Sequence, residues 1–217
     1  MSGLDKLIEG GFPEKTSVLL SGGPGAGKTL VGLNFLVDGA KQGEKCCYLS
    51  LSENEDELKR AVQSIESLKI ASEFLNKNLI FKYIELGEGD DLDYFIKIMS
   101  SYPDLDRIVI DNINKLLIFA ETKRLYRINF IKLIKRLKQK AKCSLVLCET
   151  VGDAMDTGNG EAFECDGTVQ LSFLEFEEKP VRTIKIQKMR YTSFEPNISR
   201  EIIIDKKGIR LGTSKII

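Results

Sequence analysis

The residues best suited to chemistry stand in "SGGPGAGKTL", positions 21–30, where Gly22, Gly23, Pro24, Gly25, Ala26, Gly27, Lys28 and Thr29 fit G-x-x-x-x-G-K-[ST]. Glycines at that spacing let successive backbone N–H groups turn inward around an anion. The lysine reaches the β and γ phosphates, and the threonine hydroxyl coordinates Mg²⁺ as a helix begins. A second candidate is Asp111, which closes the apolar run RIVID. An acid there would sit at the carboxyl edge of a sheet, where ligands of open α/β folds bind, and would be the second anchor for Mg²⁺. Strands also end in Asp for turn or capping reasons alone. Guanine recognition would ask for N-K-x-D; NKNL at 76–79 and NKLL at 114–117 lack the final acid, so ATP is the expected nucleotide.

These groups need a scaffold, and the periodicity supplies one. TSVLLS at 16–21 reads as a strand leading into the loop, and Lys28 to Lys41 reads as the helix leaving it. CCYLSL at 46–51, NLIFKYI at 78–84, RIVID at 107–111 and CSLVLCE at 143–149 read as further strands. They alternate with helical stretches near 54–67, 91–100 and 122–142, which predicts a parallel sheet covered on both faces. From Asp166 the pattern becomes period-two in VQLSFLEF, VRTIKIQKMR, REIIID and a short GIRL, with turns at Lys179–Pro180 and Lys207–Gly208. The expected fold class is therefore α/β, a mostly parallel sheet with antiparallel strands at its C-terminal end, and residues 1–217 are expected to form one domain.

Composition narrows the chemistry. Lys plus Arg and Asp plus Glu number 32 each, so no net charge draws the whole chain to a polyanion or an acidic membrane. Histidine is absent, which removes His triads and His metal sites. The five cysteines form no C-x-x-C pair, and reduced thiols packed in strands are expected. No apolar stretch approaches the roughly 18 residues of a membrane span, and the amino terminus lacks signal-peptide features, so a cytoplasmic protein is expected.

With these residues placed, the chain resembles the RecA superfamily, and within it the single-domain relatives of the clock ATPase KaiC. SGLDKLIEGGFPEKTSVLLSGGPGAGKT is similar to the family's opening, RIVID to its magnesium strand, and KMRYTS with REIIIDKKGIRL to its K-x-R-x-T segment and closing strands. The resemblance implies ATP and Mg²⁺ as ligands, with Thr29 and Asp111 on the metal and Lys28 on the phosphates. It adds Leu30, Met189 and Thr192 to the nucleotide contacts. It implies that Lys188 and Arg190 reach a neighbour's γ-phosphate, so that the working form is a ring, commonly a hexamer. Side chains two apart share one face of a strand, so this pair can converge on one anion. Two solvated charges at a strand end are the alternative.

One departure bears on hydrolysis. Family members keep two glutamates after the second strand, and the first is the water-activating one; here YLSLSENEDEL puts Ser52 at that place and Glu53 at the second. Glu53 serves as base only if the chain has left the strand by Ser52, since alternation would otherwise aim it at the wrong face. Ser52 and Glu55 also fit a capping box without catalytic purpose.

Binding of nucleic acid is disfavoured without being excluded. The 122–142 helix carries Lys123, Arg124, Arg127, Lys132, Lys135, Arg136, Lys138, Lys140 and Lys142 beside an apolar stripe of Leu125, Ile128, Ile131, Ile134 and Leu137, which favours a solvated basic face. The loop VGDAMDTGNGEAF, where recombinases of the superfamily hold DNA, has Asp153, Asp156 and Glu161 and no cation. Three functions stay open: a slow ring-forming ATPase whose nucleotide state controls protein partners, an ATP-binding switch without turnover, and a recombination accessory.

Overall fold

The structure is a computed structural model, and it describes residues 7–87, 92–101, 103–176, 179–195 and 198–216. Residues 2–6 of the family-like opening and position 91 of the helix expected from 91 lie outside the described residues. Among those described, nine strands form one sheet in the order β3-β2-β4-β5-β1-β6-β7-β8-β9. They are β1 (Thr16–Gly22), β2 (Cys46–Ser50), β3 (Leu79–Tyr83), β4 (Leu105–Asp111), β5 (Ala141–Glu149), β6 (Gly167–Phe176), β7 (Lys179–Met189), β8 (Ser199–Asp205) and β9 (Gly208–Ile216). The strands from β3 to β6 pair in parallel, and β6 to β9 pair antiparallel, as the change of periodicity at Asp166 predicts.

β1 is buried along its whole length because both sheet faces are covered. Val18 and Leu20 face helix α1 (Lys28–Lys41), which contributes Leu33, Leu36 and Val37 to that layer. Leu19 faces the opposite layer, built from α3 (Leu92–Ser100) with Phe95 and Met99 and α5 (Lys123–Lys140) with Phe130, Leu133 and Leu137. The remaining helices are α2 (Glu55–Ser64), α4 (Asn114–Ile118) and α6 (Glu161–Glu164). All five cysteines are buried and unbridged, and burial pushes the thiols of Cys46, Cys47 and Cys143 up to about 12.

Several sequence expectations are corrected. The helix expected at 54–67 ends at Ser64 and gives way to a 3₁₀ segment, Glu66–Glu73. Lys179 and Pro180 are strand residues paired with Phe176 and Glu175, where a turn was expected. GIRL is the start of a nine-residue strand. On α5 the buried positions are Tyr126, Asn129, Phe130, Leu133, Ile134 and Leu137, while Ile128 is 42% exposed. A three-residue repeat drifts around a helix of 3.6 residues per turn, so the true apolar stripe starts one residue later and spaces wider.

Candidate functional site at the carboxyl edge of the sheet

Register brings the chemical residues together. Gly22 at the end of β1 pairs with Glu149 at the end of β5, and Ser50 at the end of β2 pairs with Asp111 at the end of β4. Four strand ends therefore open onto one edge. From Gly22 the chain loops to α1, whose N-cap is Gly27 at φ +104°, a left-handed conformation open to glycine. That helix start has no side-chain cap and no acid in its first turn, so its N–H groups and positive end are offered to an external anion. A Cβ built on Gly25 meets nothing within 4 Å, which leaves the loop crown clear for a phosphate.

Lys28 is buried, and its ammonium donates to the Gly22 and Gly23 carbonyls at 2.8 and 2.9 Å. Burial lowers its pKa, while Glu149 and Asp111 pull the other way. Asp111 Oδ2 accepts from the Thr29 hydroxyl at 2.8 Å and the Tyr48 hydroxyl at 2.5 Å. Burial raises the Asp111 pKa against those two hydrogen bonds and the Lys28 charge. A hydroxyl and a carboxylate in contact beside a buried lysine are oxygen donors of the kind Mg²⁺ takes, so Thr29 and Asp111 fit the metal expected of them.

These groups line a cleft of about 440 Å³ with Leu30, Ser52, Glu53, Asn112 and Glu149. β2 has ended by Ser50, whose hydroxyl accepts from the amides of Ser52 and Glu53 at 3.3 and 2.9 Å. This turn, which alternation along a strand would forbid, carries Glu53 to the cleft. Burial raises the Glu53 pKa, and Asp111 and then Glu57 add to it. The helix cap expected from Ser52 and Glu55 is instead Asn54 with Glu57: the Asn54 side chain accepts from Asp56 N and Glu57 N, and Glu57 Oε2 accepts from Asn54 N. Ser52 and Glu53 are thereby left free of the cap.

Two residues of the site carry no sequence signal that marks them. Glu149 is held by Asn114, which bonds both its amide and its carbonyl. Arg182, from β7, donates to the Gly25 carbonyl at 3.3 Å while its guanidinium stacks 5.0 Å over Phe173. A cleft of about 550 Å³ at the other end of the sheet is larger. Of the cations that line it, Arg107 is bound to Glu44 and Lys142 to Asp106.

Lys188, Met189 and Arg190 lie elsewhere. Met189 pairs with Gly167, which pairs with Val18, four residues behind Gly22 along β1. At about 3.3 Å per residue this is roughly 13 Å along the strand direction alone, with two inter-strand spacings of about 4.8 Å besides, from the phosphate loop of the same chain. Lys188 donates to the carbonyls of Ala162, Phe163 and Cys165, Arg190 contacts Asp166 at 3.4 Å, and the Thr192 hydroxyl donates to the Ile8 carbonyl.

The basic helix spends much of its charge internally. Arg127 meets Glu164, Lys138 meets Asp166, Lys140 meets Asp104, and beyond the helix Lys142 meets Asp106. Glu161, expected in the loop after β5, starts α6, is fully buried and accepts from Tyr126 and Thr157, so it adds nothing to the acidity of the loop's surface.

A glycine loop joining a buried strand to a helix, beside an acid-ended strand of a parallel sheet, defines the P-loop class of nucleotide-binding proteins. Within that class a family model described as "ATPase: KaiC" matches residues 1–216, and the chain belongs to this family of ATP-binding RecA-superfamily proteins. It is 29% identical over 208 residues to a UPF0273 protein of Pyrobaculum aerophilum, covering 88% of this chain and 73% of that one. It is also 29% identical over 220 residues to circadian clock protein KaiC2 of Synechocystis, covering 96% of this chain but 38% of the clock protein. The crystal structure of a KaiC-like protein from Pyrococcus horikoshii superposes with a TM-score of 0.81 at 28% identity, covering 97% of this chain and 95% of that one.

Proposed function

We propose that residues 1–217 act as one domain, a slow Mg²⁺-dependent ATPase that assembles into a ring and whose nucleotide state changes the surface it presents to protein partners. The observation that carries this reading is the opening of Glu53 into the same cleft as Lys28, Thr29 and Asp111. The amides after Gly25 and the Lys28 ammonium would hold the phosphates, and Thr29 and Asp111 would hold Mg²⁺. Bound there, the metal would neutralise phosphate charge. Glu53 would orient a water and take its proton, and the Lys188–Arg190 segment would serve an adjoining copy. A hexamer is the ring size the family resemblance suggests. Buried, unbridged thiols suit a cytoplasmic setting, and no helix among the described residues is long and apolar enough to cross a membrane.

Glu53→Gln tests the turnover. Phosphate release should fall by about 100-fold or more, the range for loss of a general base, while ATP affinity stays within about threefold. A variant that keeps wild-type turnover removes Glu53 from the mechanism. The pH profile gives a separate check: the base works ionised, so with its pKa raised by burial the rate should fall on acidification at a higher pH than an ordinary glutamate would dictate. An acid limb in the usual carboxylate range contradicts the assignment.

Ser52, at the place of the family's first glutamate, favours a second reading, an ATP-binding switch without turnover. Absence of phosphate release under every Mg²⁺ condition, with ATP still bound, would select it. The recombination accessory is the weakest reading, because the internal ion pairs leave the helix a reduced basic face.

A further inference from the structure

Tyr48 stands in the middle of β2 and is fully buried. It pairs with Val109, and its neighbour on the same strand face, Ser50, pairs with Asp111, so the ring lies one step behind the carboxylate that ends β4. Its surroundings hold it there. Phe81 meets it edge-on with ring centroids 6.1 Å apart, and Gly32 lets α1 lie against it, since a Cβ on that glycine would come 3.5 Å from Tyr48 Cε2 and 3.1 Å from Val109 Cγ1. A phenylalanine would fill the same space, and a buried hydroxyl is costly unless it is bonded. The bond it makes is to Asp111 Oδ2, at 2.5 Å.

Asp111 thus receives two hydroxyls on one oxygen. Thr29 also donates to Oδ2, at 2.8 Å, while among the described residues none donates to Oδ1. An ionised carboxylate has about two lone-pair sites on each oxygen, so both sites of Oδ2 are taken by the protein. Oδ1 is the oxygen left for a ligand of the cleft that Asp111 lines. Thr29 keeps its proton for Oδ2 even when a lone pair of its own oxygen is given to a cation, because a hydroxyl has one donor and two acceptor sites.

This arrangement discriminates between cations. Mg²⁺ demands near-ideal octahedral geometry and keeps several waters, whereas Ca²⁺ takes more oxygens in a looser shell and accepts both oxygens of one carboxylate. Resting on the reading of Asp111 as a cation ligand, we infer that Tyr48 is a positioning residue that sets the choice of cation: its hydroxyl, with that of Thr29, occupies Oδ2, confines Asp111 to a single coordinating oxygen, and so favours Mg²⁺ over Ca²⁺ beside the nucleotide.

The test is the factor by which each cation tightens ATP binding relative to EDTA, read by calorimetry on the full chain. The wild-type chain should gain more from Mg²⁺ than from Ca²⁺; equal gains overturn the inference before any variant is made. Tyr48→Phe removes the hydroxyl and keeps the ring, so the ratio of the Mg²⁺ gain to the Ca²⁺ gain should fall about tenfold, as loss of one hydrogen bond to a charged group would cost. An unchanged ratio overturns the role of Tyr48. Added to Asp111→Asn, Tyr48→Phe should change the ratio no further, and a second loss of about tenfold in that background shows that the tyrosine acts through packing rather than through the carboxylate, which overturns it too. Failure of the underlying reading looks different. Asp111→Asn with both wild-type gains intact removes the carboxylate from the cation site and the inference with it, whereas gains lost in Asp111→Asn beside an unchanged ratio in Tyr48→Phe strike the inference alone.

Discussion

Lys28→Ala should bind ATP at least about 100-fold more weakly than the wild-type chain, because two or more hydrogen bonds from a charged donor are worth about 3 kcal/mol or more together. The effect is sharpened by where the lysine sits. Burial has already lowered its pKa, so the folded chain bears the cost of a desolvated ammonium, and a bound triphosphate is the partner that repays it. The ammonium's hydrogen bonds to the Gly22 and Gly23 carbonyls are a weaker substitute for phosphate oxygens. Nucleotide titration by calorimetry measures the loss, and the melting temperature without nucleotide should move little. Unchanged affinity in that variant would mean that the cleft is not a phosphate site.

What could be foreseen from the chain, and what could not, follows from the range of the interactions. The phosphate loop is a local object: its glycines, its lysine and the flanking strand and helix lie within about one supersecondary unit, so spacing alone specifies them. Asp111 was legible as an acid that closes an apolar run, which puts it at a strand's carboxyl end. Glu149 ends a strand in the same way, yet CSLVLCE offers no reason to prefer an acid facing the cleft over one facing solvent until the pairing of Gly22 with Glu149 is known. Arg182 is further from reach, since its approach to Gly25 depends on the register between β6 and β7. The stripe on α5 failed for a different cause: Leu125, Ile128 and Ile131 suggest one face, but the layer beneath is filled by Tyr126, Phe130 and Leu133.

The turn after β2 shows how a local hydrogen bond decides which residues reach the cleft. Alternation along a strand would send Ser52 and Glu53 to opposite faces. The Ser50 hydroxyl, accepting from both amides, ends the strand first and brings both residues to the cleft. Asn54 then takes over as the helix cap, so neither Ser52 nor Glu53 is consumed in starting α2.

Asp111→Asn should separate stability from metal dependence. The carboxylate is almost wholly buried, and burial outweighs its two hydroxyl donors and the Lys28 charge, so its pKa in the folded chain lies above the unfolded one. For a group shifted in this direction the contribution to stability is fully present below the unfolded pKa and is lost as pH rises through the folded pKa; near neutrality the ionised group is a net cost. An asparagine keeps an oxygen for the Thr29 and Tyr48 hydroxyls and removes the charge, so the variant should melt no lower than wild type at neutral pH without nucleotide. Its ATP binding should lose the gain that Mg²⁺ gives the wild-type chain, at least about tenfold in affinity, the factor that 1.4 kcal/mol represents. Titrations with Mg²⁺ and with EDTA give that ratio directly. A variant that still binds ATP more tightly with Mg²⁺, by the wild-type factor, would show that the ion is held by other groups of the cleft, and a large drop in melting temperature would show that the buried charge is satisfied rather than strained.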